Sequence, residues 1–316
     1  MAQVVGRRIL LVVPMLFGMS ILVFLIIHLV PGDPAHAILG LNSTPELVAR
    51  LRVELGLDDP LPVQYWHWLG QLAHGNLGHD YTSDVSIRHL LAQRLPVTIE
   101  LALAALLIAI LVGVPLGVVA AVWKGRSPDG VAQGVSMLGI SVPDFALGII
   151  LILVFSLGLG LLPSSGWIPL TQDPVANLEH LLLPAIALAA GLAAVLIRVT
   201  RASMLEVLDE DYVRFCRAKG VSETSVIFKH ALRNAAIPIT TVIGLQAGYL
   251  LGGAIIVEQV FALPGVGQLV LNGVLQRDYP VVQGAVLVIG FMFIFANLIA
   301  DLLYAVLNPK LRGASG

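Results

Sequence analysis

Hydrophobic residues in this chain come in long blocks, separated by stretches where charge, proline and glycine gather. A helix needs roughly 20 predominantly apolar residues to cross a bilayer. Six blocks meet that length, at about 9–30, 97–123, 133–162, 181–200, 236–257 and 281–307, and each predicts a transmembrane helix. The third is longer than one crossing requires and contains Pro143, so a kink or break is expected inside it. The first follows Arg7 and Arg8 and precedes Ala35-His36-Ala37, an outline shared with signal peptides. Its 22 residues exceed the about 7–15 of a signal h-region, and it is read as a retained helix.

Composition agrees with that pattern. Of 316 residues, 57% are hydrophobic and 12% charged, whereas a soluble domain carries about 25% charge. The mean hydropathy is +0.90. The expected class is an all-α integral membrane protein. A net charge of −2 argues against nucleic acid as a partner, and a single cysteine, Cys216, excludes an internal disulfide framework or a multi-cysteine metal site. Orientation follows from the basic residues. With the N-terminus inside, five of the 18 Lys and Arg (Arg50, Arg52, Arg88, Arg94, Arg277) lie outside and the other thirteen inside. Both termini are then cytoplasmic. The chain divides into a first helix (1–30), an extracytoplasmic segment (31–96) and a five-helix core (97–316) that includes a cytoplasmic loop at 201–235. No internal repeat or low-complexity tract is seen.

The two hydrophilic regions differ in character. In the external one, TPELVARLRVELGL (44–57) has apolar residues at helical spacing and predicts an amphipathic helix lying on the membrane or on a partner. Tyr65, Trp66 and Trp68 stand where an interfacial aromatic belt would be. His67, His74, His79 and His89 lack the paired spacing and interleaved carboxylates of a metal site, so none is assigned. The internal region, DYVRFCRAKGVSETSVIFKHALRNA (211–235), reads as helix, glycine turn, helix. Asp209 is the expected N-cap with Glu210 and Asp211 in the first turn, Gly220 the left-handed end, and Ser222 the cap of a second helix with Glu223 in its first turn. Cys216 is read as a small apolar member of the first helix.

Catalytic and nucleotide motifs are missing. There is no G-x-x-x-x-G-K-[ST] loop, no H-E-x-x-H and no G-x-S-x-G, so the chain is expected to bind no ATP, metal or cofactor itself. Transport remains. Its candidate pathway residues are Pro143, Asp144, Gly244, Gly248, Gly252 and Glu258. Asp144 follows the proline well inside the third span, where a charge must face protein or water: it either lines a cavity or hydrogen-bonds a kinked backbone. Gly244, Gly248 and Gly252 share one face, for packing within the subunit or against another. Glu258 is placed at the outer end of the fifth span, before a Pro264-Gly265 turn that re-enters or caps the cavity. Asp301, in the last span, is assigned to a pair with Arg198 or Arg201.

The 211–235 segment resembles the cytoplasmic EAA loop of ABC-importer permeases. Gly220 and Leu232 fit its general form, while Arg214, Phe215, Cys216, His230 and Arg233 depart from it. It is much more similar to the variant of the peptide-importer permeases, DYVRTARAKG followed by HALRNA, with Phe215-Cys216 in place of Thr-Ala. Further matches run through the chain, among them VPGDPA (30–35), LGLDDPLPVQY (55–65), GNLGHDY (75–81), RLPVTIELA (94–102), HLLLPAIALA (180–189), TRASMLEVL (200–208), VEQVFALPGVGQL (257–269) and RDYPVVQG (277–284). On these the chain is similar to the B-type permease of bacterial dipeptide/oligopeptide importers, a group that also handles nickel and glutathione. The resemblance implies a type I importer fold in the inner membrane, a homologous second permease, two ATPase subunits that bind ATP and Mg, and an external solute-binding protein. It also implies ATPase coupling through Asp211, Tyr212, Arg214, Arg217, Ala218, Lys219, Gly220, His230 and Arg233. The competing class is a stand-alone proton-coupled carrier using Asp144 or Asp301.

Overall fold

The apolar blocks become helices whose ends extend past the hydropathy boundaries. A computed structural model describes residues 2–29, 34–39, 44–54, 56–81 and 83–307. Apart from an isolated bridge between His79 and Ser86, the regular structure among the described residues is helical. The order is α1 (Ala2–Leu29), α2 (Pro34–Leu39), α3 (Pro45–Glu54), α4 (Leu61–Ala73), α5 (Ile87–Val122), α6 (Ser127–Ser141), α7 (Asp144–Leu151), α8 (Pro174–Leu208), α9 (Asp211–Ala218), α10 (Glu223–Ser225), α11 (Leu232–Val260), α12 (Val266–Gln276) and α13 (Tyr279–Leu307). A π-helical stretch, Ile152–Gly158, prolongs α7, and another, Val226–Ala231, joins α10 to α11.

Among the described residues four helices are long and apolar enough to cross a membrane: Ile87–Val122, Pro174–Leu208, Glu223–Val260 and Tyr279–Ile299. The third expected span is the broken pair α6 and α7, bent by 104°. Its break falls at Val142-Pro143, where proline cannot donate to the helical ladder and drives the preceding residue to extended backbone. Counting that pair as one gives five crossings among the described residues. In the first expected span, 9–30, the apolar helical stretch found is Leu10–Leu25, and the flanks lie partly outside the described residues.

α8 is the centre of the bundle. Asp173 caps it, its carboxylate accepting from Val175 N (3.0 Å) and Ala176 N (3.1 Å), and Pro174 occupies the first turn. Leu183, Leu188, Leu196, Ile197 and Met204 along α8 are buried. Helix α5 comes unusually close to it: a Cβ on Gly113 would lie 2.7 Å from Leu196 Cβ, and one on Gly117 would lie 2.5 Å from Thr200 Cβ. Small residues four apart permit such backbone approach in membrane helices. α8 also runs to Leu208, with Asp209 as its C-cap. Asp209 therefore ends that helix and does not begin the next, as the sequence reading had it.

Helix α4 leans on α1. Tyr65 is buried between Phe17 and Phe24, its ring edge-on to both, and its hydroxyl lies 2.8 Å from Ser20 Oγ. Trp68 tilts against Phe24, while Trp66 stays exposed. The three aromatics expected to form a belt are thus divided between a helix contact and the surface. α3 lies within the expected 44–57 amphipathic stretch.

Candidate functional site

The 211–235 segment forms a hairpin of local interactions. α9 ends at Ala218, and Gly220 turns the chain with φ of 78°. No atom outside its neighbours comes within 4 Å of a Cβ there, so backbone geometry alone favours glycine. Arg217 grips Glu223 across the turn with two hydrogen bonds, Nη2 to Oε1 at 2.7 Å and Nε to Oε2 at 3.1 Å. Asn234 Nδ2 donates to the Tyr212 hydroxyl at 2.6 Å and to the His230 carbonyl at 3.2 Å. Val213 and Val226 are buried beneath these contacts. Arg217, Glu223, Tyr212 and His230 thus hold the hairpin's shape.

What faces outward is different. Phe215 and Phe228 are 58% and 59% exposed, and Lys219 Nζ stands 4.4 Å above the Phe215 ring. Arg214, near Asp211 at 3.6 Å, together with Ala218 and Arg233, is also on the surface. Two bulky aromatics are thus exposed on the hairpin, one of them beneath a lysine, and exposed apolar surface of this kind is where a partner gains most from burial. Ser222 sits at the start of the second helix without a side-chain cap bond, and that helix continues unbroken into α11. The second half of the hairpin and a candidate spanning helix are therefore one continuous helical segment.

Behind the hairpin, Arg201 of α8 clasps Asp129 of α6, Nε to Oδ1 at 2.7 Å and Nη2 to Oδ2 at 2.9 Å. Gln133 Nε2 and Gly125 N complete the carboxylate's partners, each at 2.9 Å. Asp129 thus holds Arg201, while the expected pair of Asp301 with Arg198 or Arg201 falls on a side chain that lies outside the described residues.

A cavity of about 530 Å³ opens where the α6–α7 break faces the middles of α8 and α11. Pro143 and Asp144 line it from the break, Gly191, Leu192 and Val195 from α8, and Gln246, Tyr249 and Gly253 from α11. Of the sequence candidates, Pro143 and Asp144 thus come together at the cavity. Gly244, Gly248 and Gly252 of α11 do not. Gly248 packs against Phe293 of α13, where a Cβ would come within 2.8 Å, Gly244 is buried, and Gly252 meets nothing within 4 Å.

Glu258 does not line the cavity either, because it is sealed. It is fully buried, with Oε1 accepting from Thr98 Oγ1 (2.6 Å) and Oε2 accepting from Gln268 N (3.1 Å). Thr98 Oγ1 accepts in turn from Val266 N at 2.9 Å. A Cβ at Gly265 would collide with the carboxylate. The expected rigid turn is present, built around Glu258 as its anchor. Its key partner, Thr98, lies on α5 and carried no signal in the sequence.

On the same side as that turn, Asp278 binds the loop after α4. Its Oδ2 accepts from Tyr81 N (2.9 Å) and its Oδ1 from Val281 N (3.1 Å). Burial, and then the Asp80 carboxyl beside it, push Asp278 up to about 6. Burial likewise raises Tyr81, with Asp278 adding to it. Of the four histidines, His74 Nδ1 contacts the Gly70 carbonyl at 2.7 Å and His89 Nε2 the Gln93 amide at 3.0 Å.

Comparison with known proteins fits this arrangement. A family described as "Binding-protein-dependent transport system inner membrane component" matches residues 113–313, and its N-terminal companion, "Binding-prot-dependent transport system membrane comp, N-term", matches residues 1–102. The chain belongs to this family of inner-membrane transport components. Within it, the chain is an ABC importer permease of the peptide/nickel group. It is 45% identical to the glutathione transport system permease protein GsiC of Escherichia coli O6:H1, over 99% of both chains, and 44% identical to GsiC of Escherichia coli K12 and of Salmonella typhi, again over 99% of each. Among solved structures it shares a fold with two inward-facing crystal forms of the MetNI methionine ABC transporter. Their TM-scores are 0.57 and 0.58 at 16% and 17% identity, covering 69% and 70% of this permease and 96% and 97% of theirs.

Proposed function

We propose that this permease forms half of the pathway of an ATP-driven importer for glutathione or short peptides of similar size. Glutathione is itself a tripeptide, so the two cargo readings share one chemistry. The observation that carries the proposal is the hairpin 211–234: an exposed aromatic face held by Arg217–Glu223 and running without a break into spanning helix α11. Whole-length identity to GsiC supports glutathione as the cargo. In this reading two partner ATPases bind ATP and Mg, a homologous second permease completes the pathway, and an external binding protein delivers cargo. All six expected spans cross the membrane with both termini inside. ATP-driven closure of the ATPases pulls on α9, and α10–α11 carries that motion to the wall of the 530 Å³ cavity.

The test is reconstitution of the complete complex in liposomes. ATP hydrolysis stimulated by glutathione-loaded binding protein, together with ATP-dependent glutathione uptake, is the expected result. Replacing both Phe215 and Phe228 by Ser is expected to release the ATPases while the permease remains inserted. Uptake that persists without the ATPases and collapses with the proton gradient would overturn the reading in favour of a secondary carrier. Cysteines at Ser83 and Ser222, in a Cys216→Ala background, test orientation: an impermeant reagent is expected to label the first and not the second on intact cells.

A further inference from the structure

In the cavity wall, Asp144 carries a charge that the protein itself does not answer. It is the first residue of α7, where the N-cap is Pro143, and no hydrogen bond from the helix end is found on its carboxylate. Among the described residues no ion pair or hydrogen bond reaches it. Of the two arginines on α8, Arg201 is held by Asp129 and Arg198 is exposed. Structural explanations of a half-buried acid, a cap or a salt bridge, are therefore absent, while a carboxylate among Pro143, Leu188 and Leu192 is costly if it faces neither water nor a cation.

The surroundings leave the carboxylate open. Across from it stand two helical glycines, Gly191 on α8 and Gly253 on α11. A methyl at Gly191 would sit 3.5 Å from Oδ1, and one at Gly253 would sit 3.9 Å from Oδ2. Neither position has a positive φ, so no turn requires glycine there; what the missing side chains do is keep both oxygens uncovered. Gly191 lies midway along α8 (Pro174–Leu208), the depth at which transporters hold cargo beside interrupted helices.

From this geometry we propose that Asp144 is the subsite for an organic ammonium group of the cargo. The inference rests on the import reading. An ammonium offers three donors to a carboxylate with about four acceptor sites, and the cavity has room for the attached body, with Gln246 and Tyr249 as further polar contacts. A bare metal ion fits less well: among the described residues no group of three metal-ligating side chains assembles. The α-amino group of a short peptide, glutathione included, supplies such an ammonium, and a lysine side chain is the other source.

The experiment uses the complete complex with its binding protein in liposomes, and three probes: glutathione, N-acetylglutathione and N-acetylated alanyl-lysine. The binding protein's own affinity for each, measured apart, separates delivery from passage. Losing a charge-assisted hydrogen bond is expected to cut glutathione uptake by Asp144→Asn about tenfold or more, with uptake of N-acetylglutathione the same as in wild type. Asp144→Glu is expected to restore part of the loss. Gly191→Ala, whose methyl fits without collision but covers Oδ1, is expected to lower glutathione uptake as well. A parallel loss for N-acetylated alanyl-lysine also supports the subsite and extends it to side-chain ammonium. The proposal is overturned if Asp144→Asn imports glutathione normally, if both glutathione forms fall equally, or if the second permease dissociates, which would mean that Asp144 answers a cation of that partner. A wild-type complex that imports none of the probes sinks the import reading itself, and the subsite with it.

Discussion

Glu258 and Asp144 are both acids within apolar helices, and the fold treats them in opposite ways. Each Glu258 oxygen has a partner, Thr98 on one side and the Gln268 amide on the other, in full burial. Asp144 has no partner among the described residues and faces a cavity. The contrast separates a carboxylate that belongs to the structure from one left available for function. Burial ranks them in the same order, the more buried acid being the one less exposed to cargo. What sorts them is whether their acceptor sites are already filled.

The largest effect is expected at the filled site. Glu258→Ala strands the Thr98 hydroxyl and a backbone N–H in the interior, and removing one member of such a buried network costs about 3–5 kcal/mol. A clear fall in the melting temperature of the purified permease is expected, and Thr98→Val is expected to cause a smaller one. Glu258→Ala with an unchanged melting temperature would erase the distinction drawn between the two acids.

Next comes the 211–235 hairpin, whose backbone is closed and whose aromatic face is open. Gly220→Val places a β-branched side chain at φ of 78°, a cost of roughly 1–2 kcal/mol borne by the turn alone. The expected result is a stable, inserted permease whose ATPases are lost or uncoupled, read by co-purification and by ligand-stimulated hydrolysis. Gly220→Asn, which tolerates the left-handed region better, is expected to keep more coupling. Wild-type coupling in Gly220→Val would mean that the hairpin's shape does not govern docking.

Asp144 is expected to show little thermal effect. Asp144→Leu removes an unanswered charge from an apolar wall, which favours the variant, and removes an acid from the first turn of α7, which costs about 0.3–1 kcal/mol. These oppose each other, so the melting temperature is expected to stay near or above that of wild type. A fall as large as that of Glu258→Ala would show that Asp144 is structural too.

These sites were unequally legible in the sequence. The break at Pro143 and the turn at Gly220 were read correctly because their causes are local: proline lacks an N–H, and glycine accepts positive φ. Glu258 was placed near the right helix end but its function was misjudged, because its partner Thr98 lies 160 residues away and looks like any other threonine of a span. Asp301 was assigned to Arg198 or Arg201, but Asp129, 72 residues from Arg201 in the first turn of α6, claims Arg201 with both oxygens. The Gly244, Gly248 and Gly252 stripe attracted notice for its spacing, yet the tightest approach to the central helix is made by Gly113 and Gly117. Periodicity reports which residues share a face. It does not report what that face meets.

Asp278 lies between the two extremes, and its pH response is the subtlest effect expected. It accepts from Tyr81 and Val281, as Glu258 accepts from its partners, but it also faces a second acid, Asp80. Burial and that neighbour raise it from 3.8 to about 6 in the fold. Protonated Asp278 therefore binds its proton more tightly when the loop is docked than when it is free. Its contribution to docking is complete below about pH 4 and is lost as the pH rises through about 6. After correction for the intrinsic rate, amide exchange in the 80–86 loop is expected to accelerate across that interval. The Asp84 amide, bonded to the Asp80 carbonyl at 3.0 Å, is the reporter nearest the pair. Asp80→Asn supplies an N–H to Asp278 at every pH and removes the competing charge, so exchange in that variant is expected to stay slow from pH 4 to 7. A corrected wild-type rate that is flat over the same range would place Asp278 beside Glu258, as an acid whose partners hold it regardless of its neighbour.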